Sequence, residues 1–172
     1  MTIQVNQVFH DLIAYDPDLF RANHLLKVTG YAEMIGGAEG MAGDDLLWLR
    51  IAATLHDIGI KPSLEKFGSA IGPNQQAEGP PLARALLEKY SPPPERVDRV
   101  CYLIAHHHEY SNIDGLDYQI LVEADFLVNC DEGEMAKREI RSVRDTIFKT
   151  ETGIGLVNRL YGFPSSLRTI PS

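Results

Sequence analysis

Histidine and aspartate recur in this sequence where their neighbours are apolar. His24 lies in "RANHLLKV", His56–Asp57 in "ATLHDIGIKPS", His106–His108 in "LIAHHHEY" and Asp125 in "ILVEADFLVN". Imidazole and carboxylate are the ligands of Zn, Mn and Fe, and octahedral centres take mixed sets of both. Asp125 is the most informative, because Leu121, Val122, Ala124, Phe126, Leu127 and Val128 surround it. An isolated ionised carboxylate in such a helix is costly, so it needs a cation, a hydrogen-bonding partner or a metal.

Each residue alone has an ordinary reading. His24 fits a hydrogen-bonded core histidine, Asp57 a locally satisfied helix end, Asp125 the partner of an arginine, and one of the three adjacent histidines a solvated side chain. Four separate helical segments that each offer a ligand on an apolar background are harder to explain singly. Side chains on facing helices converge into the core of a helical bundle.

The elements that must position them are helices. "DPDLFRANHLLKVTGYAEMIGG" has helical spacing after Pro17 and ends at Gly36–Gly37, and "GDDLLWLRIAATLHDIG" opens on Asp44 and Asp45, which suit a helix N-terminus. In the latter, Leu47, Ile51, Thr54 and Leu55 share an inner face, and Gly59 closes the segment. Residues 60 to 75, with Lys61, Pro62, Gly68, Gly72 and Pro73, are expected to form a loop with one helical turn. "EGPPLARALLEKY" and "SPPPERVDRVCYLIAHHHEY" are expected as helices with prolines in their first turns. "NIDG" is a turn, and "LDYQILVEADFLVNCDE", "GEMAKREIRSVRDTIF" and "TGIGLVNRLYGF" are further helices. The expectation is an all-α fold, a single compact helical bundle over residues 1–172. Its motif-bearing core spans about 15–130, C-terminal helices follow over 131–162, and 163–172 form a loose tail.

Composition narrows the function classes. The 172 residues are 44% hydrophobic with a formal net charge of −8, the pattern of a globular protein without the basic footprint of one that coats nucleic acid. Cys101 and Cys130 lie inside apolar helical patterns, which makes them small core hydrophobes instead of a disulfide framework. No apolar run approaches the roughly 18 residues of a membrane span, and "MTIQVNQVFHDLIAYDP" has no basic region followed by a long apolar stretch. A cytoplasmic chain with no membrane partner is expected, and a homodimer is left open.

The order His24 … His56–Asp57 … Asp125, each on its own helix, resembles the HD-domain metal-dependent phosphohydrolase superfamily over about residues 15 to 130. The resemblance implies an all-α HD domain with a divalent metal held by His24, His56, Asp57 and Asp125. Mn, Fe, Zn, Mg, Co and Ni are all open. "LIAHHHEY" is similar to the His-His pair of dinuclear members, which implies His107 and His108 as ligands of a second ion and Asp57 as a bridge. Periodicity places His107 on the face of Val100, Leu103 and Ile104, with His106 nearer the edge.

Dinuclear members carry another histidine where this chain has "NQQAEGPPLARALLEK", with Gln75, Gln76 and Glu78. Glu78 stands as a replacement oxygen ligand, a general acid/base, or a helix N-terminal acid. The "GYP" triplet of the cyclic-dinucleotide phosphodiesterases is absent, which argues against cyclic di-GMP. Arg21, three residues before His24, and Lys61, after the HD dipeptide, are expected to meet phosphate oxygens; Lys149 is a weaker candidate. Glu109, Asp114 and Glu123 are candidates to orient the histidines. Tyr110, Tyr118, Phe126 and Phe67 fit either a base pocket or the core.

A divalent metal acidifies water and neutralises charge on phosphoryl oxygens. With Asp57, Arg21, Lys61 and Glu78 as catalytic candidates, the expected activity is hydrolysis of a phosphomonoester or phosphodiester of a small nucleotide-like molecule. The alternatives are a di-iron oxygenase on the same site and a non-catalytic module that senses a nucleotide.

Overall fold

The computed structural model describes residues 3–164. Among the described residues every regular element is an α-helix: α1 (Val5–Tyr15), α2 (Leu19–Ala38), α3 (Gly43–Leu55), α4 (Ile60–Phe67), α5 (Gly72–Glu88), α6 (Pro94–His106), α7 (Leu116–Glu132), α8 (Lys137–Thr146) and α9 (Glu151–Tyr161). The loose tail expected from residue 163 falls almost wholly on residues 165–172, outside the described residues. None of these helices is long and apolar enough to cross a membrane.

The centre is α2, α3 and α7, with α5 and α6 packed as a pair alongside. α3 is nearly buried all round from Ile51 to Leu55, and α7 buries ten of its residues, so both sit inside the bundle. Their apolar side chains, with those of α2 and α6, form one continuous core. Cys101 and Cys130 are buried within it and unpaired. Burial raises both thiols, Cys130 to about 11, so neither is a thiolate at neutral pH.

Between residues 60 and 75 the structure differs from the expected loop. α4 starts directly after the turn at 56–59, and only Gly68 to Ile71 separate it from α5. Pro62 falls in the first turn of α4, where a missing N–H costs nothing, and Gly68 ends the helix at φ +66°. Glycine and proline here mark helix ends, not a loop. α5 likewise starts six residues before Glu78, so Pro80 and Pro81 lie inside it. Gly79 precedes the first of them and has no Cβ to meet its ring, which lets the helix continue. α6 ends at His106, four residues short of Tyr110, which puts His107 and His108 in the following turn.

Two glycines let α5 approach the centre. A Cβ on Gly59 would lie 2.7 Å from the carbonyl oxygen of Gln75 and 2.9 Å from the nitrogen of Gly79. A Cβ on Gly79 would lie 2.7 Å from Cγ2 of Ile104. The α3–α4 turn and α5 therefore touch backbone to backbone, and the Ile104 side chain of α6 packs onto the same stretch of α5, close to the histidines and Asp57.

Candidate metal centre

Each side chain of the cluster is delivered by a different element. His24 projects from the second turn of α2, whose start is fixed by Asp18 accepting from the Arg21 backbone N–H. His56 and Asp57 follow the last residue of α3, and Asp125 lies midway along α7. His24 Nε2 lies 3.3 Å from His56 Nε2 and 3.3 Å from Asp125 Oδ1. Asp57 Oδ2 is 3.5 Å from both imidazole nitrogens, and His56 Nε2 is 3.5 Å from Asp125 Oδ1. Ligand atoms held about 2.1 Å from one ion sit roughly 3.0–3.4 Å apart, so the four atoms already stand near the corners of a coordination shell.

The imidazole tautomers agree with this. His56 Nδ1 is 2.7 Å from the carbonyl oxygen of Ala53, and that oxygen only accepts, so the proton lies on Nδ1. His24 Nδ1 makes the same bond, at 2.8 Å, to the Glu132 carboxylate. With the proton fixed on Nδ1, loss of the Nε2 proton leaves a lone pair pointing at the cluster, the arrangement metal-binding histidines adopt. Asn129 Nδ2 donates to Asp125 Oδ1 at 2.9 Å.

A second group adjoins the first through Asp57. Its other oxygen, Oδ1, is 3.6 Å from His107 Nε2, and Asp57, His107 and His108 offer ligand atoms within 4.8 Å of one another. His107 Nδ1 is 2.8 Å from the Ile104 carbonyl, which again turns Nε2 inward. Nε2 of His107 and Nε2 of His108 are buried and have no hydrogen-bond partner. Buried polar atoms are normally satisfied, and two adjacent orphaned imidazole nitrogens facing a carboxylate are what a cation site requires. Tyr118 of α7 holds this turn, its hydroxyl lying against the carbonyls of His106 and Glu109.

The charges fit as well. Burial disfavours charge on His56, but Asp57 and Asp125 overcome this and raise it to about 9. His24 is raised for the same reason, against burial, by Asp125 and Asp57. Burial alone would raise the two carboxyls, yet the imidazoles hold both well below the usual carboxylate range. The first group therefore calls for positive charge. His108 behaves oppositely: burial and the adjacent His107 push it down to about 4, leaving a neutral ring with a free lone pair.

A cavity of about 390 Å³ opens onto the cluster, lined by His24, Asp57, His108, Asp125, Arg21 and Gln75 among others. Arg21 is held there by Asp16, 2.6 Å from its Nε, and Asp16 and Asp18 keep it charged against the effect of burial. Lys61 is not brought to this cavity. Its ammonium donates to the Tyr15 carbonyl at 2.7 Å and stands 4.7 Å over the Tyr15 ring, tying α4 to the end of α1. Glu78 is likewise outside the cluster, paired with Lys66 at 2.5 Å. The α5 side chain that lines the cavity is Gln75, one turn earlier.

His106 points away and pairs with Glu109. Asp114 binds Arg99, and Glu123 serves the α8–α9 connection, so none of the three expected acids touches a cluster histidine. That contact belongs to Glu132, which the sequence reading missed along with Asn129. Both follow Asp125 at helical spacing, by seven and four residues, and that periodicity was the available signal. Lys149 pairs with the Thr146 carbonyl, away from the cavity. Of the aromatic candidates, Tyr118 is core, Tyr110 packs on Phe126, and Phe67 is exposed; the aromatic side chain lining the cavity is Phe20.

Residues 21–149 match the HD domain family. No curated protein sequence matches the chain. A crystal structure described as a predicted HD superfamily hydrolase, from an uncultured Thermotogales bacterium, is similar in fold. It superposes with a TM-score of 0.63 at 24% identity, covering 92% of this chain and 84% of that one.

Proposed function

Because the chain belongs to the HD-domain family, we propose that it is a metal-dependent phosphohydrolase that cleaves a phosphomonoester or phosphodiester of a nucleotide-like small molecule. The observation that carries this reading is the juxtaposition of the buried His/Asp cluster with a charged arginine in one open cavity. When bound there, a divalent ion acidifies water and neutralises charge on phosphoryl oxygens.

The chain's own residues supply the rest. His24, His56, Asp57 and Asp125 would hold one ion, and Asp57, His107 and His108 would contribute to a second. The first set carries the two carboxylates, so two divalent ions would leave the centre with net positive charge, which favours an anionic substrate. Arg21, anchored by Asp16, presents its guanidinium to the same space and suits a phosphate oxygen. Phe20, largely exposed on the cavity lining beside it, offers an apolar face to a base.

The test is a substrate panel of nucleoside monophosphates, cyclic nucleotides and generic aryl phosphates. Each is assayed with Mn²⁺, Co²⁺, Zn²⁺, Mg²⁺, Ni²⁺ and anaerobic Fe²⁺. Metal-dependent release of phosphate or of a monoester, lost in Asp57→Asn and weakened in Arg21→Ala, is the expected result. No turnover of any phosphate ester by metal-loaded protein overturns the reading. Oxygen consumption by the iron form would redirect it to oxygenase chemistry.

A further inference from the structure

Gln75 is more than nine-tenths buried, yet its carboxamide is only half satisfied. Nε2 donates to the Ala70 carbonyl at 2.7 Å, while Oε1 is buried without any partner. Exchanging the amide atoms does not relieve this, because the Ala70 oxygen only accepts and the NH₂ must face it. Leaving a buried carbonyl oxygen unpaired is costly, so its persistence calls for a ligand.

The neighbourhood identifies which ligand. Gln75 lines the same cavity as Asp57 and His108. One turn earlier on α5, a Cβ on Gly72 would lie 3.6–3.8 Å from the His108 ring, so this stretch of α5 lies against that imidazole. The Gly59–Gly79 contact clamps the same stretch onto the turn carrying Asp57. Three unpartnered buried atoms, Gln75 Oε1, His107 Nε2 and His108 Nε2, thus belong to residues gathered around one carboxylate.

We propose that Gln75 is a ligand of the second cation, its amide oxygen completing the set of Asp57, His107 and His108. This rests on the reading of the cluster as a metal centre. The donor is neutral, so the second site holds only the shared carboxylate of Asp57, whereas the first has Asp57 and Asp125. Fewer charged ligands mean lower affinity. The second site therefore fills after the first and empties before it.

Chelator-treated full-length protein titrated with Co²⁺, followed by calorimetry and visible absorption without substrate, tests this. The wild type should take up two equivalents, the second more weakly. Gln75→Ala should weaken the second step about tenfold or more and leave the first within about twofold. Gln75→Glu should tighten the second step and change its absorption band.

A second step unaltered in both variants overturns the proposal, as does uptake of a single equivalent by the wild type. If the metal-free Gln75→Ala variant does not melt cooperatively, Gln75→Glu alone decides: tightening supports the assignment, and no change or weakening overturns it. Two equivalents with the expected variant effects but no cleavage of any phosphate ester would remove the proposed function and leave Gln75 as a ligand.

Discussion

Glu123 and Asp125 are two residues apart on α7, both almost fully buried, both set in an apolar helix, and they face different problems. Glu123 is saturated. Its carboxylate accepts from Gln119 Nε2 at 2.8 Å, from the backbone nitrogens of Lys149 and Thr150 at 2.6 and 2.9 Å, and from the Thr150 hydroxyl. Thr150 in turn caps α9, and Gly153 leaves room for the carboxylate, since a Cβ there would overlap Glu123 Oε2. Asp125 has one conventional donor, Asn129, and otherwise faces imidazole nitrogens that meet it only with a proton or an ion between them. A buried acid whose acceptor capacity is filled by fixed N–H and O–H groups is a clip. One whose remaining neighbours are imidazoles, needing a proton or an ion between them, is a ligand that suits a cation.

The largest expected effect falls on the ligand side. Asp57 is shared by both groups of the cluster, so Asp57→Asn should abolish metal uptake, as read by metal analysis after purification without chelators. It should also lower phosphate-ester turnover by about 10³-fold or more. The metal-free variant should fold, because Asp125 still lies beside both His24 and His56. Retention of two equivalents by Asp57→Asn would break the assignment of this side of the comparison.

The clip should fail in the opposite manner. In Glu123→Gln an NH₂ group replaces an acceptor and meets N–H donors, with an expected cost of about 2–3 kcal/mol. For a chain of this length that corresponds to a melting temperature lower by roughly 4–10 °C. Metal content and the metal dependence of turnover should be unchanged. A Glu123→Gln protein that melts like the wild type but loses metal would show that the two acids are not separable.

How far the sequence carries is visible in this pair. An acid inside an apolar run is equally legible at 123 and 125, but only the partners distinguish them, and those come from the α8–α9 connection in one case and from α2 and α3 in the other. The convergence of His24, His56, Asp57, Asp125, His107 and His108 was legible because each lies within or directly after a largely apolar helical segment. The start of α5 was not, since Gly72, Pro73, Pro80 and Pro81 are equally the signals of a loop and of helix ends. That single shift of register exchanges Gln75 for Glu78 at the cavity. The pairing of Lys61 with the end of α1 depends on a fold-level contact that no local pattern encodes.

A smaller effect tests the outer partner of the ligand side. Glu132 fixes the His24 tautomer from α7 while also pairing with Lys27 at 3.0 Å. Glu132→Ala should weaken uptake of the first ion about 10-fold, up to 100-fold, by freeing that ring. Because Lys27 is exposed, the lost ion pair should scarcely move the melting temperature. A change in the second binding step alone would place Glu132 elsewhere in the design.

The smallest effect is a pH dependence confined to the metal-free protein, and it follows from the same pairing of imidazoles with carboxylates. His56 is raised to about 9 in the folded state by Asp57 and Asp125, against the ordinary value near 6.5, and His24 is raised as well. A folded value above the unfolded one means that the protonated imidazole stabilises the native state. This contribution is complete below about pH 6.5 and disappears as pH rises through about 9. Metal-free protein should therefore melt a few degrees lower at pH 9.5 than at pH 6.5. Loaded protein should lack this slope, because the ion replaces the protons, and its binding at pH 7.5 should release protons, seen as a dependence of binding enthalpy on buffer. Asp125→Asn should flatten the metal-free slope and Glu123→Gln should leave it intact. If the slope survives in Asp125→Asn, the cluster is not its source, and the contrast between the two acids of α7 loses its electrostatic half.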